Sequence, residues 1–315
     1  MKKRKPIYFV SYPKSGRTWI TMMLAYIQAK MTGQEIDACL YNFGVYKSKK
    51  DDLNFPKIII DHAFKEEYIY QGKKFPLDFY KNRKILLLAR DPKDVLVSHY
   101  HFFKNRYGII KSDINDFIKF KYNKKYFYIT TFLTNNNILK YFGFFNFIIC
   151  PFLNFIHNKA HKDIFIDNIG KSKYRMYAER FGLETIVNYL NSWVENKNSF
   201  ADFRIFYYED IRKEPFLSFK QMLEFLEIKC EDYLIKEAIE FASFENMRKI
   251  ELEGSIKWED LYLTKKENFV QQNFLMTRKG QVGSYKEELS QEMSEYIDNY
   301  IRDRLNNEFI RYKRA

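Results

Sequence analysis

Ile7-Tyr8-Phe9-Val10-Ser11-Tyr12-Pro13-Lys14-Ser15-Gly16-Arg17-Thr18-Trp19 is the stretch whose reading decides the rest. Ile7 to Val10 is a short, continuous apolar run, the pattern of a strand buried on both faces. Ser11 to Gly16 carries one Pro and one Gly, the punctuation of a tight loop. From Thr18 the pattern turns helical, with Trp19, Met22, Met23, Tyr26 and Ile27 at helical spacings. Strand, tight loop and helix together aim backbone N–H groups at an anion held at the helix N-terminus. Lys14 adds a point charge, and Ser15 and Thr18 add hydroxyl donors. The order is not that of a Walker A loop, where a second Gly stands directly before the Lys; here Lys14 precedes Gly16. A phosphate cradle and a basic surface turn both remain open from this loop alone.

The same punctuation recurs along the chain. Lys57 to Ile60 is a second apolar run, ending at Asp61-His62. Ile85 to Ala89 is a third, ending at Arg90-Asp91-Pro92, with Pro92 suited to the first turn of a helix. Arg204 to Tyr208 is a fourth, ending at Glu209-Asp210. Helical stripes fill the intervals: Leu183, Ile186, Val187, Leu190, Trp193 and Val194; Phe216, Phe219, Leu223 and Leu226 after Pro215; Met293, Tyr296, Ile297, Tyr300 and Ile301. Strands alternating with helices predict an α/β fold with a central parallel sheet covered on both faces. Ligands of such sheets bind beyond the carboxyl ends of the strands, where the loops at Tyr12, His62, Arg90 and Glu209 all fall. No internal repeat and no Ser- or Gly-rich linker interrupts the pattern. One domain over residues 1–315 is expected, with an elaboration at about 107–180.

Two further segments carry convergent cations. In Leu88-Ala89-Arg90-Asp91-Pro92-Lys93-Asp94-Val95-Leu96-Val97-Ser98, Arg90 and Ser98 can donate to one phosphate. In Arg278-Lys279-Gly280-Gln281-Val282-Gly283, two adjacent cations precede a Gly-rich turn, another phosphate clamp. Tyr-Pro-Lys-Ser-Gly with Thr-Trp, then Arg with Pro-Lys-Asp-Val and Val-Ser, then Arg-Lys-Gly with a later Gly, in that order, resemble the cytosolic sulfotransferases that use 3′-phosphoadenosine 5′-phosphosulfate (PAPS). The resemblance runs from Tyr8 to about Lys286 and is weakest from Tyr107 to Arg180. It implies a P-loop-like three-layer sandwich and PAPS as sulfate donor, without a metal. By that resemblance Lys14, Ser15, Gly16, Arg17, Thr18 and Trp19 form the phosphosulfate loop. Lys14 meets the bridging oxygen, and Trp19 lies near the adenine. Arg90 and Ser98 match residues that bind the 3′-phosphate, and Arg278, Lys279 and Gly280 match the triplet that closes over it. Tyr208, Ser243 and Phe244 match adenine neighbours.

His62 stands where the family carries its catalytic histidine. A histidine suits the removal of a proton from an acceptor oxygen near neutral pH. Its neighbours depart from the family: Ile60 replaces a lysine, and Asp61 is a new carboxylate. Because adjacent strand residues face opposite ways, Asp61 is not expected to brace His62. A capped, structural histidine is the competing reading. Elsewhere Arg17 replaces a threonine, either as a phosphate contact or facing solvent. Ala242 replaces a threonine, Asp91 stands where asparagine is common, and Ser284-Tyr285 replaces Asp-Trp.

Composition bounds the rest. The net charge of +13 favours anionic partners. The cations are spread along the chain, so no nucleic-acid module is expected. Cys39, Cys150 and Cys230 stand far apart, with neither a disulfide framework nor a zinc pattern, which suits a reducing, cytoplasmic compartment. Residues 141–156 hold no charge but are interrupted by Gly143, Asn146, Pro151 and Asn154. A pocket wall or lid is preferred there. A peripheral membrane contact and a true span are the alternatives, and the first of these would suit a lipid acceptor. A small molecule, glycan or lipid is the expected acceptor class. The rival functions are a P-loop kinase or nucleotide hydrolase, and a nucleotide-binding protein that has lost catalysis.

Overall fold

A computed structural model describes residues 5–37, 39, 55–62, 77–106, 110–120, 181–253 and 277–313. Most of the expected elaboration at 107–180, including residues 141–156, lies outside these residues. Strands β1 (Ile7–Ser11), β2 (Ile58–Asp61), β3 (Lys84–Ala89) and β4 (Asp202–Tyr207) form one sheet in the order β2-β1-β3-β4. Every pairing is parallel, with Ile7 opposite both Ile58 and Lys84.

Side chains of β1 and β3 alternate between two cores, as a period of two requires. Ile7, Phe9, Leu86 and Leu88 enter one core, and Tyr8, Val10, Ile85 and Leu87 enter the other. Phe9 is wholly buried, which contributes roughly 2–3 kcal/mol. On the Phe9 side pack α1 (Arg17–Thr32) and, further along the chain, the helices Pro215–Phe225 and Asp232–Phe241. On the Tyr8 side pack Pro92–His101, Leu183–Glu195 and Gln291–Arg304. These layers are the expected three-layer α/β sandwich.

Two details differ from expectation. β4 is not buried on both faces. Asp202 and Arg204 are exposed, because β4 lies at an edge of the sheet among the described residues. Tyr208 does not end the strand but opens a short helix, Tyr208–Lys213.

The strand order has one consequence for ligands. The chain leaves β1 toward β2 on one side and returns to β3 on the other, so the connections diverge above the β1–β3 seam. Such a switch point leaves a crevice at the strands' carboxyl ends. The loops after β1 and β3, carrying Lys14 and Arg90, border it. No described helix is long and apolar enough to cross a membrane.

Candidate functional site

The loop after β1 turns on two left-handed residues, Lys14 (φ 69°) and Gly16 (φ 94°). Lys14 is the costly one, since its Cβ makes that region unfavourable. Gly16 is the N-cap of α1 and offers no side-chain cap, and the first turn carries no acidic residue. The helix's first N–H groups are therefore not answered by a cap of its own, the arrangement that favours an anion. Ser15 is buried, and Thr18 and Trp19 are half-buried. The Lys14 ammonium sits 4.2 Å from the centre of the Phe102 ring. Arg17 is half-buried.

Tyr208 lies against this loop. A Cβ at Gly16 would stand 2.4 Å from the Tyr208 ring, and Trp19 meets that ring edge-on at 5.8 Å. Gly16→Ala adds a clash to a disfavoured φ. It is expected to lower stability by about 1–3 kcal/mol, read as a drop in the melting temperature by circular dichroism.

Arg90 joins the loops. Its Nη1 donates to the Lys14 carbonyl (3.2 Å) and its Nη2 to the Gln281 carbonyl (3.3 Å). Its guanidinium lies 4.4 Å from the Tyr208 ring centre and 3.5 Å from the Asp94 carboxylate. Asp94, fully buried, accepts from Gly283 N (2.8 Å), Ser284 Oγ (3.3 Å) and Tyr285 N (3.2 Å). The first turn after β3 thus anchors the Gly-rich turn near the C-terminus. This is also how Ser284-Tyr285 closes that turn. Ser98, one helical turn beyond Asp94, lies on the same helix face.

Ser243 and Phe244 are placed from the other side. Phe244 opens the helix Phe244–Glu253, and Ser243 accepts from Asn246 N at its start. A Cβ at Gly280 (φ 64°) would stand 2.5 Å from the Phe244 ring, so Gly280 is what lets the triplet lie on it. Glu251 of that helix holds Thr277 through its N–H (3.0 Å) and hydroxyl (2.9 Å). Arg278 and Lys279 each meet carboxylates that follow the Gly-rich turn. Arg278 pairs with Glu288, and Lys279 pairs with Glu287 (2.7 Å) and Glu288 (3.0 Å). His101 also pairs with Glu288. Burial alone would raise the Glu288 carboxyl, but bonds from Arg278, His101 and Lys279 prevail and hold it at about 2.

His62 follows β2, whose register sets Asp61 beside Val10. Its Nδ1 lies 2.8 Å from the Ser11 carbonyl. A carbonyl only accepts, so Nδ1 carries the proton and Nε2 carries the basic lone pair. Asp61 accepts from the Tyr80 hydroxyl at 3.2 Å.

Asp91 caps the helix Pro92–His101 through Lys93 N (2.8 Å), and its own N–H donates to Glu209 (2.8 Å). Burial pushes its carboxyl up to about 7, against the pull of Lys93. The folded chain therefore favours the neutral acid, and this contribution is lost as pH rises through about 7. Asp91→Asn keeps the cap. Its melting temperature relative to wild type is expected to rise between pH 5 and pH 8, as differential scanning fluorimetry would show.

Contacts through Arg90, Tyr208 and the segment Gly280-Gln281 thus link Lys14, Trp19 and Phe244. Asp94, Gln281, Glu287 and Glu288 were not singled out from the sequence. Asp94 lay inside a quoted motif, but its partners are about 190 residues away. Among the described residues, no group of His, Cys, Asp and Glu could hold a metal ion.

The chain matches the sulfotransferase domain family over residues 4–309. It is similar to sulfotransferase 1E1 of Bos taurus, at 22% identity over 98% of this chain and 85% of that protein. It is also similar to the amine sulfotransferase of Oryctolagus cuniculus, at 24% identity over 95% and 80%. Among solved structures, retinol dehydratase in complex with androsterone and inactive cofactor PAP aligns with a TM-score of 0.52. The identity is 12%, and 96% of this chain and 81% of that one are covered, a likeness of fold. The kinase and hydrolase readings of the first loop fall away with the family match, because it takes in all three basic segments at once: the chain belongs to the sulfotransferase domain family.

Proposed function

We propose that this protein moves a sulfuryl group from PAPS to a hydroxyl or amine of a small-molecule acceptor, within one domain. The observation that carries the reading is the position of Arg90. One guanidinium bonds the Lys14 and Gln281 carbonyls and lies over Tyr208, so distant segments of the chain meet at one cation. The residues fit a doubly phosphorylated adenosine. The α1 N-terminus and Lys14 suit the 5′-phosphosulfate, with Ser15, Arg17 and Thr18 beside them. Arg90, Ser98, Arg278, Lys279 and Gly280 suit the 3′-phosphate. Trp19, Tyr208, Ser243 and Phe244 suit the adenine.

PAPS would supply the sulfuryl group: the acceptor O–S or N–S bond forms as the bond from sulfur to the bridging oxygen breaks, and 3′-phosphoadenosine 5′-phosphate leaves. His62 Nε2 takes the acceptor proton, with Nδ1–H anchored on Ser11. Lys14 stabilises the charge that grows on the departing phosphate oxygen. Relatives named amine sulfotransferase and sulfotransferase 1E1, and neighbours holding androsterone or retinol, support a small acceptor.

The test is calorimetry with 3′-phosphoadenosine 5′-phosphate (PAP) in the absence of magnesium, followed by transfer of radiolabelled sulfate from PAPS to a panel of phenols, sterols and amines. Binding and transfer are expected. No heat with PAP would end the proposal, and binding without transfer to any acceptor would favour a nucleotide-binding protein without catalysis.

A further inference from the structure

The cations proposed to hold the 3′-phosphate are already matched with carboxylates of the same chain. Arg90 is 3.5 Å from Asp94. Arg278 pairs with Glu288, and Lys279 with both Glu287 and Glu288. These carboxylates are not equivalent. Asp94 is fully buried and also accepts from three donors of the Gly-rich turn, so its place is structural. Glu287 is 64% exposed, and pairs of that kind are worth little. Glu288 is 16% exposed, and its side chain is held by Arg278, Lys279 and His101. Leaving that pocket would cost Glu288 its cation partners.

An oxyanion held between an arginine and a lysine just ahead of a glycine turn is chemically what a phosphate would be there. Glu288 presents one carboxylate oxygen, Oε1, to both Arg278 and Lys279, the cations proposed for the 3′-phosphate, while its Oε2 meets His101. It stands eight residues from Lys279's neighbour Gly280, beyond two left-handed glycines, Gly280 and Gly283. We propose that Glu288 occupies the 3′-phosphate clamp of the empty enzyme and must be displaced by the nucleotide, so that it sets the enzyme's affinity for the 3′-phosphate. The inference rests on the proposed PAPS site and adds to it a residue that weakens binding. Glu288 is a specificity-determining residue rather than a catalytic one. Its displacement exchanges one carboxylate for one phosphate group on the same cations, with no covalent step.

The alternative for Glu288 is a positioning role, in which its charge holds Arg278 and Lys279 ready for the phosphate. The two roles predict opposite signs. Calorimetry would compare PAP with adenosine 5′-monophosphate (AMP), which lacks the 3′-phosphate, on wild type and Glu288→Gln. With displacement, Glu288→Gln tightens PAP about tenfold, which corresponds to ~1.4 kcal/mol, and leaves AMP unchanged. Slower PAP release in stopped-flow would accompany it. Weaker or unchanged PAP binding in a folded Glu288→Gln protein would overturn the inference, as would equal tightening of PAP and AMP. If that variant does not fold, Glu288→Asp, which withdraws the charge by one methylene, is expected to tighten PAP by a smaller factor, and unchanged or weaker binding there would equally overturn it. A wild-type protein that binds PAP no better than AMP would instead strike the PAPS reading itself.

Discussion

His62→Asn is expected to lower kcat by roughly 10²- to 10⁴-fold, the contribution of a positioned general base, while PAP binds as it does to wild type. The choice of asparagine follows from the geometry. Its amide N–H can still donate toward the Ser11 carbonyl that His62 Nδ1 meets at 2.8 Å, so the local support is kept. What disappears is the second ring nitrogen and its lone pair. The acceptor proton then loses its proposed base, whereas Lys14, Arg90 and the C-terminal segment proposed to hold the nucleotide are unchanged. Steady-state assays over pH, together with PAP calorimetry, check both halves. A base is also expected to leave its mark on the ascending limb of the kcat/KM profile, which should flatten in the variant. Equal loss of PAP affinity and turnover would return His62 to a structural role.

Arg90→Ala should have the largest effect on nucleotide binding, weakening PAP by about 10²- to 10⁴-fold. Two charge-assisted bonds at roughly 1.5–3 kcal/mol each set that scale. The side chain is 10% exposed and does several things at once. It bonds the Lys14 and Gln281 carbonyls, lies over Tyr208, and offsets Asp94. Without it Asp94 is left as a buried carboxylate supported by neutral donors only, so stability should fall as well. Arg90→Lys separates the two effects. A lysine keeps the charge near Asp94 but lacks the planar fork that reaches two carbonyls, so it should recover much of the stability and little of the affinity. Calorimetry with PAP and thermal melts read the two quantities independently. Wild-type affinity in Arg90→Ala would remove the convergence of the three segments as an argument for function.

Much of the fold was legible in the residues themselves. Ile7 to Val10, Ile85 to Ala89 and the stripes beginning at Leu183 and Met293 each became the expected element within a residue or two. Apolar periodicity and Gly or Pro punctuation act over a few bonds, so they are written locally. Arg204 to Tyr208 was read less well. Its apolar content suggested a strand buried on both faces, but an edge position depends on which strands pair, and that is not a local property. The helices Asp232–Phe241 and Phe244–Glu253, with no glycine or proline to announce them, were likewise not read in advance.

The candidate site divides along the same line. The sequence alone determined the identity and order of the cationic segments, the tight loop from Ser11 to Gly16 and the histidine after the second strand, because residue type and short spacing are enough to mark them. Tertiary structure alone decided that Lys14 and Arg90, 76 positions apart, share a hydrogen bond, that Asp94 anchors the last turn, and that Arg278 and Lys279 face Glu288 and Glu287. The reason is physical. A charge is satisfied by whichever opposite charge the folded chain brings within a few ångströms, and parallel strand pairing brings together residues that no local spacing relates.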